Sequence, residues 1–331
     1  MTTHMMKING LLVAAALGTA LAAQAQLNMS GYFTNPTWHE CATEMETAQV
    51  LEFGSVMKPA KYTKDVVYAA SNGTALTLQI LSQESFPAPA TLSPCIVYIK
   101  GSAWMKQNVY DRVAVMGKMA ERGYVVAIVE YTHSGIAAFP APLQDVKAAI
   151  RYMRKNAGEY GVDPDNIFVW GDSSGGHLSL MAALTNGIDE FEPEVYTGIS
   201  DAVNACVDYY GVTDIRAIHG DACSASTGLA DSPEGMLMGN RDVESCPEEC
   251  DAASPISYVS ASRAIPPVMI AVGTCDHIVP FSQSESLARK LELEGKTYQY
   301  YVLKGADHGS WEFWTPQMLD TVDAFFKQYM R

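Results

Sequence analysis

The chain reads as an α/β protein with a mainly parallel central sheet flanked by helices on both faces. Three observations carry that reading. Short, continuous apolar runs such as "CIVYI", "VVAIV" and "IFVW" have the form of strands covered on both sides. Segments of helical periodicity separate them. Strand and helix then alternate through most of the chain, which requires crossover connections and so a parallel sheet.

The elements follow in order. "DVVYAASNGTALTLQIL" predicts two strands around a turn at Ser71-Asn72-Gly73, an Asn-Gly hairpin signal. "CIVYI" from Cys95 is the first buried strand, and a helix ends at Arg122 with Gly123 as its cap. "VVAIV" from Val125 is the next strand. Leu143, Val146, Ile150 and Met153, spaced three, four and three apart, mark an amphipathic helix. "IFVW" precedes a glycine-rich turn and the helical stretch "HLSLMAALT". Two further strands are expected at "VDYYG" and "PVMIAVG", then a helix at "SQSESLARKLELEG" and a strand at "YQYYVL". Pro316 opens a closing helix with Met318, Val322, Phe325 and Tyr329 on one face. Residues 212–255 interrupt the alternation. They are acidic and contain Gly and Cys, and are expected to form an inserted cap or loop near the site rather than a second domain.

Ahead of this domain, 61–331, two segments stand apart. In residues 1–25, Lys7 precedes a largely apolar stretch from Ile8 to Ala22, and Ala23-Gln24-Ala25 forms an A-x-A cleavage site. This has the form of a secretory signal peptide, short for a spanning helix, so a periplasmic or secreted protein without a membrane anchor after cleavage is expected. Residues 26–60 are polar and irregular, an extension expected to pack on the core. The seven cysteines suit an oxidising compartment, and Cys223, Cys246 and Cys250 are close enough in sequence for a disulfide among them. The odd count leaves one unpaired within the chain. No pair of CxxC motifs is present, which argues against structural zinc. With 37 acidic and 22 basic residues the formal charge is −15, which repels phosphate backbones and disfavours a nucleic-acid partner.

The chemistry centres on "IFVWGDSSGGHLS", 167–179. Gly171-Asp172-Ser173-Ser174-Gly175 matches G-x-S-x-G in one register only, with Ser173 at a tight strand-to-helix turn. A structural Gly/Ser turn is the alternative, but an apolar strand before it and a helix after it favour a nucleophile. The hydroxyl needs a base, and the base an orienting acid, in the chain order Ser, acid, His. His308, in "KGADHGSW", is the expected base, and Asp276, in "VGTCDHIVP", the acid. Each follows the C-terminal end of a strand, where open α/β sheets gather their sites. Asp276 as a helix cap and His277 as the base are the competing assignments. His133, His177 and His219 are read as structural. Oxyanion donors are expected from the N–H of Ser174 and from the loop Gly101, Ser102, Ala103. Trp104 and Trp311 are candidates to wall the substrate pocket, with core or rim packing as their alternative. No metal or organic cofactor is called for.

At these residues the chain resembles the α/β-hydrolase esterases and lipases related to hormone-sensitive lipase. More narrowly it is similar to bacterial acetyl xylan and feruloyl esterase-like proteins. The resemblance covers residues 60 to 331 and rests on "KGSAW", "FPAPLQDVKAAIRYMRKNAGEYGVDPDNIFVWGDSSGGHLS", "ASPISYV", "GTCDHIVP" and "GADHGS". Lys100 stands where the family's H-G-G-x-W stretch has histidine, and Ser102 where it has the second glycine. A serine there resists φ > 0. Tyr131-Thr132 replaces the usual Tyr-Arg pair. The resemblance implies a serine hydrolase of carboxylic esters, with small-molecule or carbohydrate substrates such as acetyl or feruloyl groups on plant polysaccharide. A serine peptidase of the prolyl oligopeptidase type and a non-catalytic binding protein on the same scaffold are the alternatives.

Overall fold

The computed structural model describes residues 42–52, 58–71, 73–84, 91–221 and 224–331. The chain divides into two compact units, Met1–Ser55 and Val56–Arg331. The expected signal segment and much of the extension lie outside the described residues. Within 42–52 the chain makes a turn closed by Ala48 N–H donating to Met45 O. Among the described residues no helix is long and apolar enough to cross a membrane.

The second unit is built on an eight-stranded sheet in the order β1-β2-β4-β3-β5-β6-β7-β8. Its strands are β1 (Ala60–Ser71), β2 (Thr74–Gln83), β3 (Ser93–Ile99), β4 (Val125–Val129), β5 (Val162–Asp172), β6 (Cys206–Tyr209), β7 (Val268–Gly273) and β8 (Tyr298–Leu303). β1 and β2 form the expected antiparallel hairpin, and Gly73 in the turn has φ +77°. β2 runs antiparallel to β4, and every pair from β4 to β8 is parallel.

The helices are α1 (Val113–Glu121), α2 (Ala141–Lys155), α3 (Ala157–Tyr160), α4 (Ser174–Leu184), α5 (Pro233–Leu237), α6 (Pro247–Ala252), α7 (Phe281–Leu293) and α8 (Pro316–Gln328). The pleat of β3 divides the core in two. Cys95, Val97 and Ile99 pack with the apolar faces of α2, α4 and α7. Ile96 and Tyr98 join α1 and α8 on the other side. Leu143, Val146, Ile150 and Met153 of α2 are all fully buried, as their spacing predicts. α4 differs, for all eleven of its residues are buried. A helix covered on every side has no polar face, so its Ser174, Ser179 and His177 stand in the interior.

Residues 212–255 contain α5, α6 and a 3-10 turn at Val243–Ser245. Cys246 is the N-cap of α6 and Cys250 lies within it, both buried, with their Sγ atoms 3.8 Å apart as thiols. The expected bridge is therefore not formed between these two, because a disulfide needs sulfurs at about 2.05 Å. Cys223 lies outside the described residues.

Candidate functional site

β5 delivers Ser173 to the end of the sheet at a sharp bend. Ser173 has φ 55° and ψ −126°, a backbone conformation that L side chains rarely adopt. Its N–H donates to Tyr209 O at 2.8 Å, and its carbonyl accepts from His177 N–H at 3.0 Å, so strand and helix grip the bend from either side. The flanking glycines have a steric cause. A Cβ on Gly171 would meet Gly175 O at 2.1 Å, and one on Gly175 would meet Ile99 O at 2.0 Å. No side chain fits at either place.

The two distant loops arrive as their strand ends require. Asp276 follows β7 and His308 follows β8. His308 Nε2 lies 2.9 Å from Ser173 Oγ, and His308 Nδ1 lies 2.8 Å from Asp276 Oδ2. The Asp276 side chain is fully buried, and its Oδ1 accepts from the N–H groups of Ile278 and Val279, each at 2.9 Å. With Asp276 accepting, Nδ1 carries the imidazole proton and Nε2 is left to accept from the Ser173 hydroxyl. Tyr210 packs its ring edgewise on His308, centroids 4.8 Å apart. His308 N–H donates to Asp307 Oδ1 at 2.6 Å, which holds the loop, and this bond lowers the Asp307 carboxyl below its ordinary range. His277 is exposed and turned to Asp307, with Nδ1 to Oδ1 at 2.5 Å.

The loop after β3 corrects the expected donor set. Gly101 N–H is spent on Asp172 Oδ1 at 3.0 Å, and Ser102 N–H on Ser174 Oγ at 2.9 Å. Neither is available to a ligand. Ala103 N–H and Ser174 N–H make no hydrogen bond to the described residues. The left-handed conformation falls at Ala103 (φ 54°) and Trp104 (φ 55°), one residue beyond Ser102. That shift lets serine occupy position 102 without strain there. Gly101 remains obligatory, because a Cβ on it would meet Asp172 O at 2.4 Å and Ser173 Cβ at 2.7 Å. Lys100 Nζ donates to Gly101 O at 3.0 Å and lies 3.7 Å from Asp111.

Three residues that hold this loop escape a reading by motif. Asp172 accepts from Tyr98 Oη at 2.5 Å as well as from Gly101 N–H. Tyr131 Oη stands 3.0 Å from Ser102 Oγ and 3.4 Å from Ser174 Oγ. Ser102 Oγ–H is committed to Met105 O at 2.6 Å, so Tyr131 donates to Ser102 and Ser174 donates to Tyr131. His177, read from the sequence as structural, is buried and takes the Trp104 Nε1–H bond on its Nδ1 at 3.0 Å. Its Nε2 then carries the proton and donates to Ala253 O at 2.7 Å. Burial lowers its pKa to about 4, so the ring is neutral. The available signal for Asp172 was a carboxyl at the end of a buried strand, which demands partners.

Beside Ser173 lies a cavity of about 100 Å³, lined by apolar residues including Val212, Ile218, Ile278 and Val279 together with Ser173, Ser174, Ser226 and Glu234. Trp104 is 2% exposed, packed edgewise on His177, and still forms part of this wall. Trp311 does not, being 74% exposed on a 3-10 turn, which corrects its assignment to the pocket. A larger open groove between β8 and α8 includes none of the site residues.

Comparison with known proteins fits this geometry. Esterase LipQ of Mycobacterium tuberculosis is 30% identical over 285 residues, spanning 83% of this chain and 65% of that one. The isoprenylcysteine alpha-carbonyl methylesterase ICME of Arabidopsis thaliana is 23% identical, over 66% of this chain and 50% of its own. The chain thus spans between half and two thirds of the length of these curated relatives. A carbohydrate esterase from gut microbiota, in truncated form, superposes with a TM-score of 0.74 at 28% identity, covering 83% of this chain and 98% of that one. Butyrate-bound Est2, an esterase of Thermogutta terrifontis, gives 0.66 at 26% identity over 82% and 95%. The family model BD-FAE matches residues 85–291, within which lie the loop at Gly101, the bend at Ser173 and Asp276. With its mainly parallel sheet, its strained serine and this match, the chain belongs to the BD-FAE family of α/β hydrolases.

Proposed function

We propose that the protein is an exported serine esterase that removes short acyl groups, acetyl first among them, from carbohydrate esters. The observation that carries the catalytic reading is the unbroken relay Ser173 Oγ–His308 Nε2–His308 Nδ1–Asp276, with both hydrogen bonds under 3 Å. Ser173 Oγ attacks the acyl carbonyl as His308 Nε2 takes its proton. The oxyanion that forms is met by the N–H groups of Ala103 and Ser174, the two left unspent at the bend. His308 then gives the proton to the departing alcohol, and the acyl group stays on Ser173. Water repeats the sequence, losing a proton to His308 and releasing the acid, and Ser173 regains its hydrogen. Asp276 keeps the imidazole in the productive tautomer throughout.

The small cavity supports the short-acyl reading. At about 100 Å³ it is smaller than the roughly 150 Å³ apolar cavity that accommodates a benzene ring, which favours a short acyl group over an aromatic one. The carbohydrate side draws on the gut-microbiota carbohydrate esterase, and export draws on residues 1–25. A panel of 4-nitrophenyl acetate, butyrate and octanoate, a feruloyl ester, acetylated xylan and a prolyl peptide tests it. Acetate and acetylated xylan are expected to be the preferred substrates. Faster turnover of the feruloyl ester or of the peptide would reject the short-acyl reading.

A further inference from the structure

Glu234 has no part in the chemistry above, yet it lines the cavity beside Ser173 and is 4% exposed. Its Oε2 accepts from Ser226 Oγ at 2.6 Å. Ser226 Oγ itself accepts from Gly228 N–H at 3.3 Å, which leaves its hydrogen for Glu234 and fixes the carboxyl in place. The other oxygen, Oε1, accepts nothing from the described residues, and no Lys, Arg or His among them lies within ion-pair distance of it. Oε1 is not among the fully enclosed polar atoms left without a partner, so it stays open to water or to a ligand in the cavity. Helix capping does not account for it. The N–H of Gly235 in α5 is served by Ser232 Oγ, and the Glu234 side chain bonds to no backbone group of the described residues.

We infer that Glu234 Oε1 is a specificity-determining acceptor that receives a hydroxyl on the alcohol side of the ester. The inference rests on the esterase reading and names the residue that would select a polyhydroxy alcohol over a hydrocarbon one. A purely hydrocarbon acyl pocket would gain nothing from a carboxyl in its wall, whereas a hydroxyl entering an otherwise apolar cavity needs one acceptor.

Two esters with equal numbers of non-hydrogen atoms test this, 2-hydroxyethyl acetate and n-propyl acetate, which differ by a hydroxyl for a methyl. The readout is the ratio of their kcat/KM values within each enzyme. The wild-type ratio is expected to exceed that of Glu234→Leu by about tenfold, the loss of one hydrogen bond to the cavity wall. Glu234→Gln, which presents an N–H₂ or a weaker acceptor to the same space, is expected to fall between them. A variant that only loosens the loop slows both esters together and leaves the ratio alone, so an unchanged ratio overturns the inference. Should neither variant fold, the wild-type ratio decides: a value no higher than the ratio of the two esters' hydroxide-catalysed rates overturns it. Wild-type protein inert on both esters overturns the esterase reading along with it, whereas turnover of both without preference overturns the inference alone.

Discussion

In the proposed triad, Ser173, Asp276 and His308 illustrate how little of a reactive group lies in the residue itself. A serine hydroxyl is a poor nucleophile until an imidazole of the right tautomer meets it, and here Asp276 sets that tautomer while buried among backbone donors. Ser173→Ala is accordingly expected to lower kcat on 4-nitrophenyl acetate by about four to six orders of magnitude with the far-ultraviolet circular dichroism unchanged. Undiminished hydrolysis would remove Ser173 from the chemistry. His177 makes a different prediction. Its ring is held neutral, with a pKa of about 4 against an ordinary value of 6.5, because burial penalises the cation. Below pH 6.5 the unfolded chain takes up a proton that the native one refuses, so the contribution of this residue to stability is full above 6.5. It is lost as the pH falls towards 4, by up to about 3 kcal/mol. Urea unfolding of wild type and His177→Phe should show the gap between them narrowing over that range. Comparing the two cancels Asp208, whose carboxyl is raised to about 7 by burial and changes stability in the opposite sense.

The loop 101–104 behaves as an element although it is neither helix nor strand. Asp172, Ser174, Tyr131 and His177 each hold one of its groups, and two consecutive left-handed residues, Ala103 and Trp104, are kept in place against about 1–2 kcal/mol apiece. Trp104→Phe removes the Nε1–H bond and leaves His177 Nδ1 without a donor. The expected result is a fall of about tenfold in kcat with KM little changed, since the Ala103 N–H matters most once the oxyanion exists. A rise in KM at constant kcat would show instead that Trp104 serves ground-state binding. In α6 the thiols of Cys246 and Cys250 are close and buried, and burial raises the Cys250 thiol to about 12. A group so far from its thiolate reacts slowly. Thiol titration of oxidised protein in denaturant, before and after reduction, is expected to gain two thiols if this pair closes in an oxidising compartment. No gain would mean that 212–255 is held by packing alone.

At the scale of the whole molecule, one sheet carries two half-cores, and its strand ends bring residues more than a hundred positions apart to one place. The proposed export is a matter for the whole chain too. If residues 1–25 direct secretion, the exported protein begins at Gln26, which N-terminal sequencing of periplasmic or culture fractions would read directly. An intact Met1 in the exported fraction would reject cleavage there.

The order of strands and helices, the bend at Ser173 and the pairing of Asp276 with His308 were all legible in the amino-acid order. Each is written in local periodicity, in obligatory glycines, or in the sequence of strand ends along the chain. Which N–H groups remain free, where Trp311 points and how the thiols of α6 lie were not legible. They depend on side chains from separate elements competing for the same donors and the same space. Gly101 and Ser102 lose their N–H groups to Asp172 and Ser174, and Glu234 keeps an unspent oxygen, because the tertiary fold decides which neighbours lie within reach.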